Sequence, residues 1–134
     1  IPKDGEAWSK VPRTEREQSE VQILQTIIYL TPGINGTRVK VSVGGPKNLP
    51  VTLEIAFRTG GTLLGVTPKK GIDHAFLIKD GEYATYQMGN DRIKIGPGAG
   101  THKWTQLRST LPKLQADCLY FTKHAPCEFE FTIE

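Results

Sequence analysis

Regular alternation of apolar and polar residues, interrupted by glycine and proline, restricts this chain to β structure. In Arg38–Val43 the valines occupy every second position, and Val51–Arg58 repeats the pattern. Side chains of a strand alternate between its two faces, so both segments predict a strand with one buried face. The core face of the second segment consists of Val51, Leu53, Ile55 and Phe57. The 14 glycines and 9 prolines lie between the apolar runs, as turns do between short strands.

About nine or ten such segments predict an all-β domain, most consistent with a two-sheet antiparallel β-sandwich, jelly-roll or immunoglobulin-like. A closed barrel is the alternative. Asp80-Gly81 predicts a tight turn that joins strands at Asp73–Lys79 and Glu82–Met88. Gly89-Asn90 predicts a turn into a further strand, Asp91–Ile95.

The last part of the chain predicts a terminal hairpin of Cys118–Thr122 and Cys127–Phe131. Phe129, Phe131 and Ile133 would face the core, and the glutamates between them would face solvent. The hairpin register separates the two cysteines along the strands, so a disulfide between them is not expected and both thiols should be free.

Residues 1–20 differ in character from the rest of the chain. They are polar and mixed in charge, which predicts a lead-in or linker, or a short helix over Thr14–Glu20. The domain then runs from residue 21 to 134, and its first segment, Val21–Leu30, is apolar enough to predict a strand buried on both faces. Because the chain begins at Ile1 rather than Met, we interpret it as a piece of a larger protein or a mature form.

Composition excludes several classes of partner. The formal charge of the 134 residues is only +3, and no dense run of Lys or Arg predicts nucleic-acid binding. No stretch of about 18 apolar residues predicts a membrane span.

Catalysis and metal binding have little support in the sequence. The motifs GxSxG and HExxH are absent, and His74, His102 and His124 lack the close spacing of metal ligands. We therefore assign no catalytic residue and no metal ligand, although His74 and His102 with Asp73 or Asp91 could be combined. Acidic candidates for acid–base chemistry are Glu54, Asp73, Glu82, Asp91 and Asp117; for calcium, the turn residues Asp80, Asn90 and Asp91.

One predicted strand face carries the candidate binding residues. His102, Trp104, Gln106 and Arg108 occupy alternate positions and would point the same way. An indole can stack on a sugar ring, and its polar neighbours can bond hydroxyls or a carboxylate. Gly96–Gly100 beside it would allow a ligand close to the backbone. The alternative places Trp104 in the core.

The segment Gly89–Gly98, followed by His102, Leu107-Arg108 and Pro126 before the last strand, resembles accessory C-terminal β-sandwich modules of bacterial polysaccharide-degrading enzymes. The resemblance implies a secreted, periplasmic or cell-surface module attached to a larger polypeptide, which binds carbohydrate weakly or supports a neighbouring domain. Two other hypotheses remain open. One is a small glycoside hydrolase or polysaccharide lyase fragment with carboxylate and histidine acid–base groups. The other is a protein–protein interaction module with an exposed apolar face.

Overall fold

Ten strands and no helix make up the part of the chain that the computed structural model describes, residues 23–102 and 114–134. Their bounds are β1 Gln25–Gly33, β2 Gly36–Gly44, β3 Leu49–Ala56, β4 Thr62–Leu64, β5 Thr67–Pro68, β6 Ala75–Leu77, β7 Ala84–Met88, β8 Asp91–Gly96, β9 Cys118–Ala125 and β10 Cys127–Ile133. They form a six-stranded sheet, β1-β2-β10-β8-β7-β4, and a four-stranded sheet, β3-β9-β6-β5. The all-β prediction is confirmed, and the two sheets are consistent with a sandwich.

The core lies between the sheets and follows the predicted alternation. Val39, Val41 and Val43 of β2 are buried, as are Phe129 and Phe131 of β10. On the facing sheet, Leu119 and Phe121 of β9 are buried, and the apolar side chains of β3 pack against this cluster. The rings of Phe121 and Phe131 are 4.9 Å apart, so the two sheets meet through aromatic contacts.

The predicted terminal hairpin is wrong, because β9 and β10 belong to different sheets. β9 pairs with β3 and β6, whereas β10 pairs with β2 and β8. Only Pro126 separates the two strands, so the chain turns from one sheet into the other instead of folding back beside itself. Both cysteines are free, as expected.

The predicted hairpin across Asp80-Gly81 is also wrong. β6 lies in the four-stranded sheet and β7 in the six-stranded sheet. The backbone at this turn bonds to a distant segment: Gly81 N–H donates to Gly98 O, and Gly98 N–H donates to Glu82 O. The turn therefore makes these hydrogen bonds instead of those of a hairpin, and it connects a strand of one sheet to a strand of the other. The β7–β8 hairpin at Gly89-Asn90 is confirmed.

β1 is exposed on both faces, which contradicts the expected two-sided burial of Val21–Leu30. All nine residues of β1 are exposed. β1 is the end strand of the longer sheet and pairs only with β2 among the described strands. The continuous apolar run predicts a strand here correctly. Whether that strand is buried depends on how far the facing sheet extends over it.

Candidate functional site

A small pocket lies beside β9, where the pairing of β9 with β6 ends and its pairing with the segment around Gly100 begins. β6 runs parallel to the first half of β9, with Leu77 opposite Tyr120. Beyond that point Gly100 pairs with Thr122 of β9, again in parallel. Thr122 N–H donates to Ala99 O, and Thr101 N–H donates to Thr122 O. Residues 99–102 are therefore fixed beside β9 by backbone hydrogen bonds.

Two glycines of the glycine-proline segment are explained by packing. A Cβ atom on Gly100 would lie 2.6 Å from Ile78 O, and one on Gly98 would overlap the Ile78 side chain. Real side chains essentially never come so close, so both positions need glycine to pass Ile78. The close approach that these two glycines permit is thus to the protein's own chain.

The pocket next to this segment has a volume of about 220 Å³, and we call it the His102 pocket. It is lined by Thr67, Pro68, Lys69, Lys70, Leu77, Ile78, Lys79, Gly100, His102 and Thr122. Three of these described lining residues are lysines and none is acidic. Leu77 and Ile78 contribute apolar surface. A cavity with apolar walls and several lysines suits a small ligand that carries an anionic group.

His102 is held in place by its backbone and by its ring. Its N–H donates to Thr122 Oγ1 at 3.3 Å, and its carbonyl oxygen accepts from the same hydroxyl at 2.8 Å. Nε2 lies 3.2 Å from Val51 O and 3.1 Å from Lys123 O. Since both partners are carbonyl acceptors, Nε2 must carry the hydrogen. The half-buried His102 therefore anchors the pocket wall as well as lining it.

The structure places one of the four predicted site residues. His102 lies in the pocket, whereas Trp104, Gln106 and Arg108 lie outside the described residues. The three lysines were missed by sequence reasoning. In the sequence, Lys69-Lys70 precedes the predicted strand Asp73–Lys79, and Lys79 ends it. A search for lysines at both ends of one predicted strand would have found all three.

A wider cleft of about 830 Å³ lies along the same segment and has a different character. Pro97, Gly98, Ala99 and Thr101 line it together with Asp80, Glu128, Glu130 and Lys123. The Lys123 ammonium is already engaged there, because it donates to Glu128 O at 2.5 Å. Carboxylates on its wall make this cleft a poorer site for an anionic ligand than the His102 pocket.

His74 is separate from this region and forms a pair with a carboxylate. Its Nδ1 lies 2.9 Å from Asp117 Oδ1. His74 has a φ of 66°, a left-handed conformation that costs a residue with a side chain about 1–3 kcal/mol. The Cys118 N–H donates to the His74 carbonyl oxygen at 2.8 Å and helps to hold this conformation. The pair borders a small cavity of about 110 Å³ near Tyr86.

The combinations considered for metals are not assembled in the described part of the chain. No three His, Cys, Asp or Glu side chains come together there as a group that could hold a metal ion. The ring of His102 lies 5.0 Å from that of His124, not beside His74. The carboxylate of Asp80 accepts the Gly100 N–H at 2.8 Å.

The fold and pocket define this protein as a β-sandwich with a lysine-lined cavity. The cavity lies where β6 and residues 99–102 pair in turn with β9. Comparisons with protein-family models, with curated proteins and with solved structures found no match for the chain. Within residues 23–102 and 114–134, no helix is long and apolar enough to cross a membrane.

Proposed function

We propose that this chain is a non-catalytic β-sandwich module of a larger glycan-processing protein, and that its His102 pocket binds an acidic sugar unit weakly. The observation that carries the proposal is the set of three lysines around a pocket of about 220 Å³. Ligand pockets for drug-sized molecules span about 300–1,000 Å³, so this volume suits a single sugar residue. Lysine ammonium groups bind a carboxylate or a sulfate as point charges.

The affinity of such a site should be low. Lys70 and Lys79 are exposed, and contacts of exposed charges are weakened by water and salt. The same module would also support a neighbouring domain of the larger polypeptide. Secretion to the cell surface or periplasm is part of this proposal, because extracellular polysaccharides are found there.

The test is a titration of the chain with uronic-acid oligosaccharides and with neutral oligosaccharides of equal length. We expect chemical-shift changes at Gly100 and Thr122 with the acidic series only, and weaker binding at higher salt. Lys70→Ala and Lys79→Ala should each weaken binding about two- to fivefold. Lys47→Ala, which removes an exposed lysine in the β2–β3 turn, is the matched control. Equal binding of neutral and acidic sugars, or equal loss in the control, would contradict the proposal.

The same titration also tests Trp104 of the predicted binding face. If Trp104 contributes to sugar binding, Trp104→Phe should reduce both the affinity and the fluorescence change on titration. Fluorescence that is unchanged across acidic and neutral polysaccharides would argue against carbohydrate binding. The supporting role would then be measured as the change in melting temperature of the larger polypeptide when this module is removed.

A second candidate function is supported by the His74–Asp117 pair. A histidine oriented by a carboxylate is the arrangement of a general base, and left-handed backbone at a residue with a side chain is found at active sites. The function would be polysaccharide cleavage by hydrolysis or elimination. We would expect His74→Gln to lower turnover at least about 100-fold, with His124→Gln as control. Absence of turnover by the unmodified chain on acidic and neutral polysaccharides would exclude this candidate for the chain alone.

A further inference from the structure

In the described part of the chain, the longest continuous run of exposed large apolar residues lies on β1. Ile28 and Leu30 are 59% and 65% exposed, and Ile27 and Tyr29 are 44% and 52% exposed. Side chains alternate along the strand, so apolar groups project from both of its faces. Single exposed apolar residues are common, but four in succession on one strand are not.

On one face of β1, the side chains lie beside buried core residues of β2 and β10 but are themselves exposed to solvent. Leu30, Val39 and Phe131 lie side by side on β1, β2 and β10, and their exposed fractions are 65%, 6% and 4%. Ile28, Val41 and Phe129 form the next row, at 59%, 3% and 1%. β1 therefore extends beyond the cover that the four-stranded sheet gives to its neighbours.

The backbone edge of β1 is open as well. Its register with β2 runs without a bulge from Gln25 opposite Gly44 to Gly33 opposite Gly36. On its other side it pairs with no described strand. Natural edge strands are normally protected by short length, charged side chains, proline or a bulge. β1 has nine residues, no charge, no bulge, and a proline only at position 32.

The sequence of β1 suits pairing with itself. An antiparallel pair centred on Tyr29 would place Ile28 opposite Leu30 of the other copy, and Gln25 opposite Gly33. Aliphatic side chains would meet across the pair, and no charge would oppose a like charge. By contrast, the chain that precedes β1 carries charged residues from Lys3 to Glu20, which suit a neutral apolar strand less well.

We infer that β1 is a self-association edge, which pairs antiparallel with β1 of a second copy to join the two six-stranded sheets. The contact uses the same strand on both copies, so it closes as a two-fold dimer and leaves no further β1 edge. The inference does not depend on carbohydrate binding, because the His102 pocket lies in the other sheet.

The first test is sedimentation of the chain over a range of concentrations. We expect a monomer–dimer equilibrium in the unmodified chain and at least about tenfold weaker association in Ile28→Lys, since an inserted lysine is a natural protection of an edge strand. Ile93→Lys is the matched control, because Ile93 is 40% exposed on β8, inside the same sheet. Urea denaturation at low concentration verifies that both variants fold.

The second test fixes the register through cross-linking in a background of Cys118→Ala and Cys127→Ala. Residues directly opposite in an antiparallel pair have Cα atoms about 4.5–5.5 Å apart, within disulfide range. Tyr29→Cys should therefore form a disulfide-linked dimer, whereas Gln25→Cys should form one only when mixed with Gly33→Cys.

A chain that stays monomeric at all concentrations overturns the inference. If removal of residues 1–22 then produces dimers, those residues occupy the edge, and if it does not, the edge belongs to another partner. A dimer that Ile28→Lys leaves intact, or one in which Tyr29→Cys does not cross-link, also overturns it, because the copies would then meet elsewhere.

Discussion

The strands β1 and β3 both end a sheet and are nearly equal in length, yet they are protected in opposite ways. β3 presents Val51, Leu53 and Ile55 to the core. β3 also contains Pro50, which lacks an N–H, and the charged Glu54. β1 has neither a packed face nor a charge, and every residue is exposed. Edge protection is a property of each strand, so the open edge of β1 is specific to it rather than general to this fold.

This difference in protection disfavours the addition of a further strand at β3 more than at β1. A strand added to β3 would lose one ladder bond at Pro50 and would lie beside a strand that carries the charged Glu54. Addition of a strand to β1 meets neither cost. Equivalent substitutions in the two strands can therefore test whether packing really differs between them.

The largest expected difference comes from Leu53→Ala in β3 against Leu30→Ala in β1. Leu53 packs on the core, so its truncation should lower the free energy of unfolding by about 2 kcal/mol, at the low end for core leucines because it is only half-buried. Leu30 is 65% exposed, and its truncation should change stability by less than about 0.5 kcal/mol. Urea denaturation of dilute protein measures both values.

Dilution matters in that experiment because dimerisation through β1 would add stability to Leu30 that a monomer does not have. The two variants are chemically matched, so unfolded-state effects largely cancel. Equal losses in the dilute proteins would show that β1 is packed as tightly as β3, and the comparison would fail.

A smaller difference is expected for the two tyrosines. Tyr120 of β9 is 1% exposed, and its hydroxyl donates to Glu54 Oε2 of β3 at 2.7 Å. Tyr120→Phe should lower the free energy of unfolding by about 1 kcal/mol through loss of this bond. Tyr29→Phe in β1 should have almost no effect, because Tyr29 is 52% exposed.

The control for the tyrosine pair is Glu54→Gln, which keeps an oxygen acceptor but removes the charge. We expect a loss smaller than that of Tyr120→Phe. If Tyr120→Phe is as stable as the unmodified chain in urea denaturation, the hydrogen bond to the Glu54 carboxylate does not stabilise the pairing of β3 with β9.

Strand positions were predictable from the sequence where the pattern was local. The valines of β2 and the phenylalanines of β10 alternate, and alternation reports one buried face directly. In β1 the apolar run is continuous, and such a run cannot distinguish burial on both faces from exposure on both, since the cover comes from the other sheet.

Pairing partners were not predictable, because they depend on contacts between distant residues. The turn at Asp80-Gly81 has the composition of a hairpin, but the Gly81 N–H donates to Gly98 O and the Asp80 carboxylate accepts the Gly100 N–H instead. The site shows the same limit. His102 was identified from a local pattern, whereas the lysines of the pocket meet it only because residues 99–102 replace β6 beside β9.

The smallest expected effect concerns the two thiols, one in each sheet. Cys118 of β9 is opposite Ala56 of β3 and is 2% exposed, whereas Cys127 of β10 is opposite Val43 of β2 and is half-buried. Burial raises the pKa of the Cys127 thiol above its ordinary value, and the positive charge of Lys123 partly opposes this shift. Since the thiolate is the reactive form, native Cys127 should be alkylated a few-fold more slowly than the unfolded thiol near neutral pH.

The direction of the pKa shift fixes the pH dependence of both alkylation and stability. The native thiol keeps its proton to a higher pH than the unfolded thiol, so its contribution to stability is complete below the unfolded pKa and is lost as pH rises through the native pKa. In Cys118→Ala, the alkylation midpoint should lie at higher pH for native than for unfolded protein, and Lys123→Ala should raise it further. In Cys127→Ala, the remaining Cys118 should react only on unfolding, since it is 2% exposed and is buried in a cluster with Ala75 and Tyr120. Alkylation of native Cys118 as fast as Cys127 would mean that the cluster around Cys118 opens as readily as the surroundings of Cys127.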